Sequence, residues 1–201
     1  MESWRNNARE FAKLLDAAAA KLRASPVRSH CAVRLPARGR LLVTGDVHDN
    51  VVHFEAAVRA ARLGASPDHH IALQEIIHGE ATVGGVDMSH RLLARVAELV
   101  LAHPAQVHPI LANHEIAQAR GHEIEKGGVH CTAAFEIGLE EAFGDDAHEA
   151  AAAVTRFVMA MPLAVVCANG AIVSHALPSR ASMRHFEIGR ASCRERVYHP
   201  V

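Results

Sequence analysis

Three short apolar segments of this chain each run directly into a polar loop, and stretches with helical periodicity separate them. The segments are residues 40–44, 71–73 and 107–112. Short apolar segments that alternate with helices are typical of α/β folds, in which the carboxyl ends of the strands lie together at one edge of the sheet. We therefore predict an α/β layered domain whose first segment is a buried strand and whose polar side chains gather at the strand ends.

Helical periodicity and one turn signal account for most of the remaining sequence. Apolar residues recur at helical spacing over residues 2–24, 51–63 and 88–102, and a helical pattern interrupted by glycines covers residues 115–162. Residues 163–175 are mostly apolar on both sides of Asn169-Gly170, a dipeptide that favours the tight turn of a hairpin. This predicted hairpin ends at His175.

Size and composition restrict the classes of function. The chain has 201 residues, 50% of them hydrophobic, which suits one domain with a sizeable core. Its formal net charge is −1, so no overall basic field indicates nucleic acid or an anionic membrane as a partner. Four dispersed cysteines favour a reducing compartment, and charges interrupt every apolar run near the N-terminus. We expect a cytoplasmic protein without a membrane span.

Side chains that can bind a metal stand at four of the predicted strand ends. They are Asp46, His48, Glu75, Asn113, His114 and His175. Each position taken singly has a simpler interpretation, such as a turn with a surface histidine, an exposed strand-end carboxylate or an asparagine that caps a helix. Their shared location at strand ends favours a metal site. Otherwise, coincidence would have to place a side chain able to bind a metal at each of four strand ends.

Three blocks of the sequence resemble one enzyme family. LLVTGDVHDN resembles the GDxHG block of calcineurin-like metallophosphoesterases, and PILANHE resembles their GNHE block. AIVSHALPS resembles the VHGGLSP block of the serine/threonine phosphoprotein phosphatase branch. The order and approximate spacing of the blocks agree over residues 40–179. The resemblance implies the calcineurin-like layered fold, a central β-sandwich flanked by helices, with a dinuclear metal centre.

The resemblance also implies a role for each matching ligand. Asp46 and His48 match ligands of the first metal, and Asn113 and His175 match ligands of the second. Glu75 would bridge the metals in place of the family's aspartate, although Asp46 is also able to bridge. Ligands of this kind suit manganese, iron or zinc, so we expect two divalent or trivalent metal ions.

Two histidines outside this ligand set bear on catalysis. His114 matches the family histidine that protonates the leaving oxygen, so it is the expected catalytic residue. The second block departs from the family, because QEIIHGE stands where GDxxDRG is usual and the phosphate-binding arginine is missing. His78 occupies the place of the second aspartate. Two roles in the site are compatible with His78, a hydrogen bond to His114 or a contact with substrate. We nevertheless expect His78 to lie on the surface.

The end of the chain has a different character from the rest. Residues 188–197, IGRASCRERV, match the translation of a common DNA sequencing adapter, and the family's last metal-ligating histidine has no counterpart after Ser179. We therefore divide the chain into an N-terminal helix and connector (1–38), a metallophosphoesterase domain that is incomplete at its C-terminus (39–186) and a non-native tail (187–201). An incomplete domain need not itself be active.

Three functions are compatible with these features. The leading hypothesis is hydrolysis of phosphate monoesters by attack of metal-activated hydroxide on phosphorus, with the phosphoprotein substrate that the branch suggests. A nucleotide or small-molecule phosphohydrolase would use the same site. A metal-binding or protein-interaction module without turnover is the alternative from another class, motivated by the altered second block. The remaining histidines and the loop at residues 122–130 are expected to lie mostly in solvent.

Overall fold

The computed structural model describes residues 3–79 and 84–177, so Ser179 and the tail at 187–201 lie outside the described residues. Among these residues there are six α-helices: α1 (Ala8–Ala24), α2 (Val51–Ala61), α3 (His90–Ala102), α4 (Asn113–Arg120), α5 (Cys131–Phe143) and α6 (Ala147–Val158). None of these helices is long and apolar enough to cross a membrane. The same residues form nine strands: β1 (Arg28–Ser29), β2 (Ala32–Leu35), β3 (Arg40–Asp46), β4 (His69–Gln74), β5 (Val107–Pro109), β6 (Glu125–Lys126), β7 (Val129–His130), β8 (Ala164–Cys167) and β9 (Ile172–Ser174).

The strands form two main sheets and a small ribbon. β3, β4 and β5 make a parallel sheet with β4 in the centre, where Ile71 pairs with Leu42 on one side and Val107 on the other. β1, β2, β8 and β9 make the second sheet, in which β2 and β8 are parallel and the other pairs antiparallel. β6 and β7 pair around Gly127-Gly128. The parallel β3-β4-β5 sheet, with α2 and α3 as its connections, confirms the α/β class.

The two main sheets face each other across a small apolar core, and helices cover the far face of the β3-β4-β5 sheet. The residues between the sheets are Val33, Leu35, Ala72, Ile110 and Val165. Successive residues of a strand point to opposite faces, so Ile71 and Leu73 of β4 pack with the helices instead. In the described part of the chain, this arrangement is a β-sandwich with a helical layer on one side.

The strands predicted from the sequence are confirmed, with shifted ends. β3 extends to Asp46, and β5 stops at Pro109 instead of continuing to residue 112. The expectation that the first strand is buried is wrong. Only Thr44 within it is buried, because β3 is the edge strand of its sheet. β1 and β2 were not predicted at all, and β2 lies inside the second sheet between β1 and β8.

α1 is anchored against the rest of the helical layer. It begins at Ala8 because the side chain of Asn7 accepts a hydrogen bond from the Glu10 amide (3.1 Å), which caps the first turn. Its apolar face packs on α6 and α3. Arg156 of α6 also donates to both carboxylate oxygens of Asp16, at 2.7 and 2.9 Å. The N-terminal helix is therefore part of the main core.

Three histidines expected in solvent are buried, and that expectation is wrong for them. His70 and His108 stack on neighbouring strands, with Nδ1 of one 3.2 Å from Nε2 of the other. His90 packs between Phe11 and Phe135. Burial lowers the pKa of His90 to about 4 and that of His108 to about 3, so both rings are neutral near pH 7. These side chains contribute packing to the core.

Gly138 allows α5 to approach the segment that precedes α3. A Cβ at this position would overlap the backbone carbonyl oxygen of Asp87. We expect Gly138→Ala to lower the free energy of unfolding by about 1 to 3 kcal/mol, because the overlap outweighs the higher helix propensity of alanine. Urea denaturation measures the change. Gly64→Ala is the control, since a Cβ there meets no atom within 4 Å, and an equal loss in both variants would contradict the packing explanation.

Candidate metal centre

Two adjacent loops, at the carboxyl ends of β3 and β4, carry the first group of site residues. The register between these strands shifts between Val43 and Asp46, so their pairing is irregular at the end of β3. Beyond this shift, the amides of residues 47–49 donate hydrogen bonds of 2.7 to 3.0 Å to the carbonyl oxygens of residues 74–76. The two loops are thus held side by side.

These loops contain strained backbone. Four non-glycine residues in them have positive φ: His48 (43°), Asp49 (55°), Glu75 (41°) and His78 (60°). A side chain in the left-handed region costs about 1 to 3 kcal/mol, and such strain collects at functional sites. The concentration of strain therefore agrees with a site at this edge of the sheet.

Glu115 ties α4 to the loop after β4. Its carboxyl group is fully buried, and Oε1 accepts hydrogen bonds from the amides of Ile76 (2.7 Å) and Ile77 (3.3 Å). Burial raises the pKa of Glu115 to about 7, against the lowering effect of those amides. No local pattern in the sequence predicts this contact, because residues 76 and 77 lie almost 40 positions before Glu115.

Glu75 lies at the centre of the residues named as ligands. Its two carboxylate oxygens contact Nε2 of His48 (2.9 Å) and Nε2 of His175 (3.1 Å). Asn113 Oδ1 lies 2.7 Å from His175 Nε2, and Asp46 Oδ1 lies 3.9 Å from His175 Nδ1. Glu75 is only 4% exposed, which excludes the alternative of a solvent-facing carboxylate. The structure brings all five proposed ligands together.

The charge balance of this group fits a bound cation. Burial raises the pKa of Glu75, and the neighbouring Asp46 carboxylate raises it further, whereas His175 and His48 lower it. Two carboxylates that share a partly buried site repel each other unless positive charge lies between them. Together with the imidazoles and the amide oxygen of Asn113, they offer the hard oxygen and nitrogen donors that manganese, iron and zinc accept.

The hydrogen bonds of His48 lead to the same conclusion. Nδ1 lies 3.1 Å from the carbonyl oxygen of Ile77, which can only accept, so Nδ1 carries a proton. In a neutral ring Nε2 then has a lone pair, and this lone pair faces a carboxylate oxygen of Glu75. A cation that binds both the Nε2 atom of His48 and this oxygen of Glu75 removes the repulsion between the two lone pairs. Metal-binding histidines commonly donate their other ring N–H to a carbonyl in this way, so the residues present fit a metal ion.

His114 begins a chain of hydrogen bonds that ends on α5. Its Nδ1 lies 2.9 Å from Nδ1 of His78, and Nε2 of His78 lies 2.9 Å from Oε1 of Gln118. The amide nitrogen of Gln118 donates to a carboxylate oxygen of Glu136 at 2.5 Å. Because Gln118 Oε1 only accepts, His78 is protonated at Nε2, and its Nδ1 accepts the Nδ1–H of His114. The surface position favoured for His78 is wrong, since it is 1% exposed.

The series of hydrogen bonds from His114 to Glu136 places the lone pair of the His114 ring on Nε2. Burial, followed by the neighbouring His78 and His48, lowers the pKa of His114 to about 4, so the ring is neutral near pH 7. The rings of His48 and His114 meet edge to face with centroids 4.9 Å apart. His48, Glu75 and His114 also offer ligand atoms within 4.8 Å of one another. His114 therefore lies directly beside the ligand group.

An apolar cleft of about 270 Å³ borders the same group of residues. Asn113 and His175 form part of its wall, together with Ile116, Leu163 and Leu177. Ile116 and Leu177 are exposed. The ligand group therefore adjoins an open apolar surface.

The sequence matches no family model and no curated protein. Among solved structures, the chain is similar to a protein serine/threonine phosphatase from Saccharomyces cerevisiae, described as having similarity to human phosphatase PP5. The two share 15% sequence identity, with a TM-score of 0.60. The match covers 94% of this chain and 57% of the yeast chain, so this chain spans little more than half the length of that phosphatase. Similarity at this level establishes the fold alone, and it confirms the calcineurin-like layered fold that the family resemblance implied.

Proposed function

We propose that this chain carries the site of a metal-dependent phosphoesterase that hydrolyses phosphate monoesters. The observation that supports this most is the convergence of five proposed ligand residues, with Glu75 at their centre and His114 beside them. The similarity of fold to a phosphatase agrees with it. A phosphorylated protein is the substrate that we propose, because AIVSHALPS resembles a block of the phosphoprotein phosphatase branch.

The ligands divide into two groups that share Glu75. By the family resemblance, Asp46 and His48 would hold one metal ion, and Asn113 and His175, which are in contact, would hold the other. When bound, two metal ions supply an activated water and neutralise the charge of the phosphoryl oxygens. Glu75 suits the bridging position, because each of its oxygens contacts a histidine from a different group.

His114 is the residue that we assign to proton transfer. The hydrogen bond from its Nδ1–H to His78 leaves the Nε2 lone pair free to take up the proton that the attacking water loses and to pass it to the leaving oxygen. His78 positions the ring of His114, and Gln118 together with Glu136 holds His78 in the tautomer that accepts this bond. The apolar cleft beside Asn113 would receive the group attached to the phosphate.

A cytoplasmic location is the second part of the proposal. Cys31, Cys131 and Cys167 form no disulfide bond in the described part of the chain. Disulfides are rare in reducing compartments, so this agrees with the cytoplasmic location that the dispersed cysteines of the sequence suggest.

A metal-binding module without turnover is the alternative, and one observation favours it. His78 stands where the family has the second aspartate of GDxxDRG, its side chain is buried, and no arginine follows it in the block. A phosphate would have to be held without that guanidinium. A nucleotide or small-molecule phosphohydrolase would share the ligands and differ in what the cleft accepts.

Hydrolysis of an aryl phosphate tests the proposal. We expect protein stripped of metal with a chelator to be inactive and to gain activity when Mn²⁺ or Fe²⁺ is added. His48→Ala should reduce this activity by at least about 100-fold, because it removes a proposed ligand. His148→Ala is the matched control, since that histidine is exposed on α6. Metal binding without turnover on aryl phosphates, phosphopeptides and nucleotides would favour the non-catalytic module.

A further inference from the structure

A second group of side chains able to bind a metal meets at His114. His78, His114 and Cys131 each offer a ligand atom, and these atoms lie within 4.8 Å of one another. Their exposed fractions are 1%, 7% and 6%, so all three are buried. Cys131 is a free thiol. None of the three belongs to the five proposed ligands of the group centred on Glu75. This second group also differs from the first in containing sulfur.

We propose that His78, His114 and Cys131 form a separate site for a soft divalent cation of the zinc class. Two imidazoles and one thiolate are a common zinc ligand set, and three protein ligands leave a fourth tetrahedral position for water or another ligand. The ligands around Glu75 supply oxygen and nitrogen alone, which suit harder ions equally well. Sulfur therefore gives the second site a different metal preference.

Hydrogen bonds orient the ring of His78 in the way that is usual for a metal-binding histidine. Its Nε2–H donates to Gln118, and the amide of Gln118 in turn donates to Glu136. These bonds fix the tautomer of His78 and keep the lone pair on Nδ1, the atom that faces His114. A ring held from behind by hydrogen bonds loses little freedom when a metal binds in front.

Cys131 is fixed at the start of α5. Its amide donates to the carbonyl oxygen of Ile124 (2.8 Å), and the carboxylate of Glu123 accepts a hydrogen bond from the Thr132 amide (3.0 Å). The thiol itself makes a long contact of 3.6 Å with the carbonyl oxygen of Val129. A metal–sulfur bond is much stronger than such a contact and would replace it.

Metal binding requires a small rearrangement and a change of protonation. The two Nδ1 atoms of His78 and His114 are 2.9 Å apart. Zn–N bonds of about 2.0 to 2.1 Å in a tetrahedron place two nitrogens roughly 3.3 Å apart, so the rings need to separate by a few tenths of an ångström. The thiol of Cys131 releases its proton to solvent, and the ring proton of His114 moves from Nδ1 to Nε2. The sulfur and both Nδ1 atoms then bind the cation.

Occupancy of this site would stop proton transfer by His114. With a metal on Nδ1 and a proton on Nε2, the ring has no lone pair left to receive a proton. A cation at the second site would therefore inhibit the phosphoesterase. This consequence rests on the proposed function, whereas the binding itself does not.

Cobalt absorption tests the second site directly. Co²⁺ bound to a thiolate gives sulfur-to-metal charge-transfer absorption in the near ultraviolet, which oxygen and nitrogen ligands do not give. We expect this band when Co²⁺ is added to the metal-free chain, and we expect its loss in Cys131→Ser. The matched controls Cys31→Ser, Cys167→Ser and Cys193→Ser should keep it. About one equivalent of Zn²⁺ should then remove the band, because zinc binds such ligands more tightly than cobalt.

Two further variants separate this site from the phosphoesterase centre. His78→Ala should weaken the band, with circular dichroism to verify that the variant is folded. His48→Ala should leave the band unchanged. Absence of the band in the unaltered chain, or its survival in Cys131→Ser, would overturn the proposal. A normal band in protein that never hydrolyses phosphate esters would contradict the proposed function and leave the second site intact.

Discussion

Glu75→Ala is expected to lower metal-dependent phosphate ester hydrolysis by at least about 100-fold, with a parallel loss of bound metal. Glu75 contacts His48 with one carboxylate oxygen and His175 with the other. Without it, Asp46 is the one proposed carboxylate ligand left to bridge the two groups, and the negative charge that would hold two cations close together is halved. Initial rates and the metal content of the purified protein measure the two effects.

The fold should survive this substitution. Burial raises the pKa of Glu75, so its charged form is unfavourable in the absence of a cation, and its removal relieves that cost. Glu75→Asp, which introduces the residue that the resembling family has at this position, should retain more metal than Glu75→Ala. Glu140→Ala, at an exposed position of α5, is the surface control. Full activity and full metal content in Glu75→Ala would rule out the bridging role.

His114→Ala is expected to reduce the turnover number by roughly 100- to 10,000-fold, which is the usual contribution of a positioned acid or base. Binding of Mn²⁺ or Fe²⁺ at the group centred on Glu75 should stay near that of the unaltered protein, because His114 is not one of the five ligands proposed for that group. The loss should be smaller for an aryl phosphate with an acidic leaving group than for an alkyl phosphate, since a good leaving group needs less protonation. Equal losses on both substrates would contradict proton donation by His114.

The chain of hydrogen bonds behind His114 predicts a graded effect of its members. Gln118→Met removes the acceptor of the His78 Nε2–H at similar side-chain length, and we expect it to reduce turnover by about 10-fold. Glu136→Leu should act in the same direction, because Glu136 orients Gln118. Glu140→Leu, one turn further along α5, is the matched control. A loss in Glu140→Leu as large as in Gln118→Met would argue against the positioning chain.

Local sequence patterns were sufficient where the structure depends on local interactions. Apolar segments of strand length predicted β3, β4 and β5, and the Asn169-Gly170 turn predicted the β8–β9 hairpin. The proposed ligands could be named because they lie near the ends of predicted strands and in blocks that resemble one enzyme family. His175 follows β9 of the second sheet, so its contact with Glu75 depends on how the two sheets pack.

Contacts between segments that are far apart in the chain were not predicted from the sequence. β2 was missed because its four residues lack a pattern of their own and are stabilised by pairing with β8, which lies more than 120 residues later in the chain. His78 was predicted on the surface because its partners are far away in the sequence. Gln118 of α4 contacts its ring, and Glu136 of α5 binds Gln118 in turn. The buried histidines of β4 and β5 were misjudged for the same reason.

The sequence by itself therefore determined the order of β3, β4 and β5, of the β8–β9 hairpin and of the helices between them, because these follow from periodicity and turn signals. It also determined which side chains able to bind a metal stand near the ends of those strands. Tertiary structure alone decided which ring nitrogen of His48, His78 and His114 carries a proton and how Glu115 joins α4 to the loop after β4. It also decided that Cys131 lies within reach of His78 and His114. Hydrogen bonds and burial set these properties, and both arise only when segments far apart in the chain pack together.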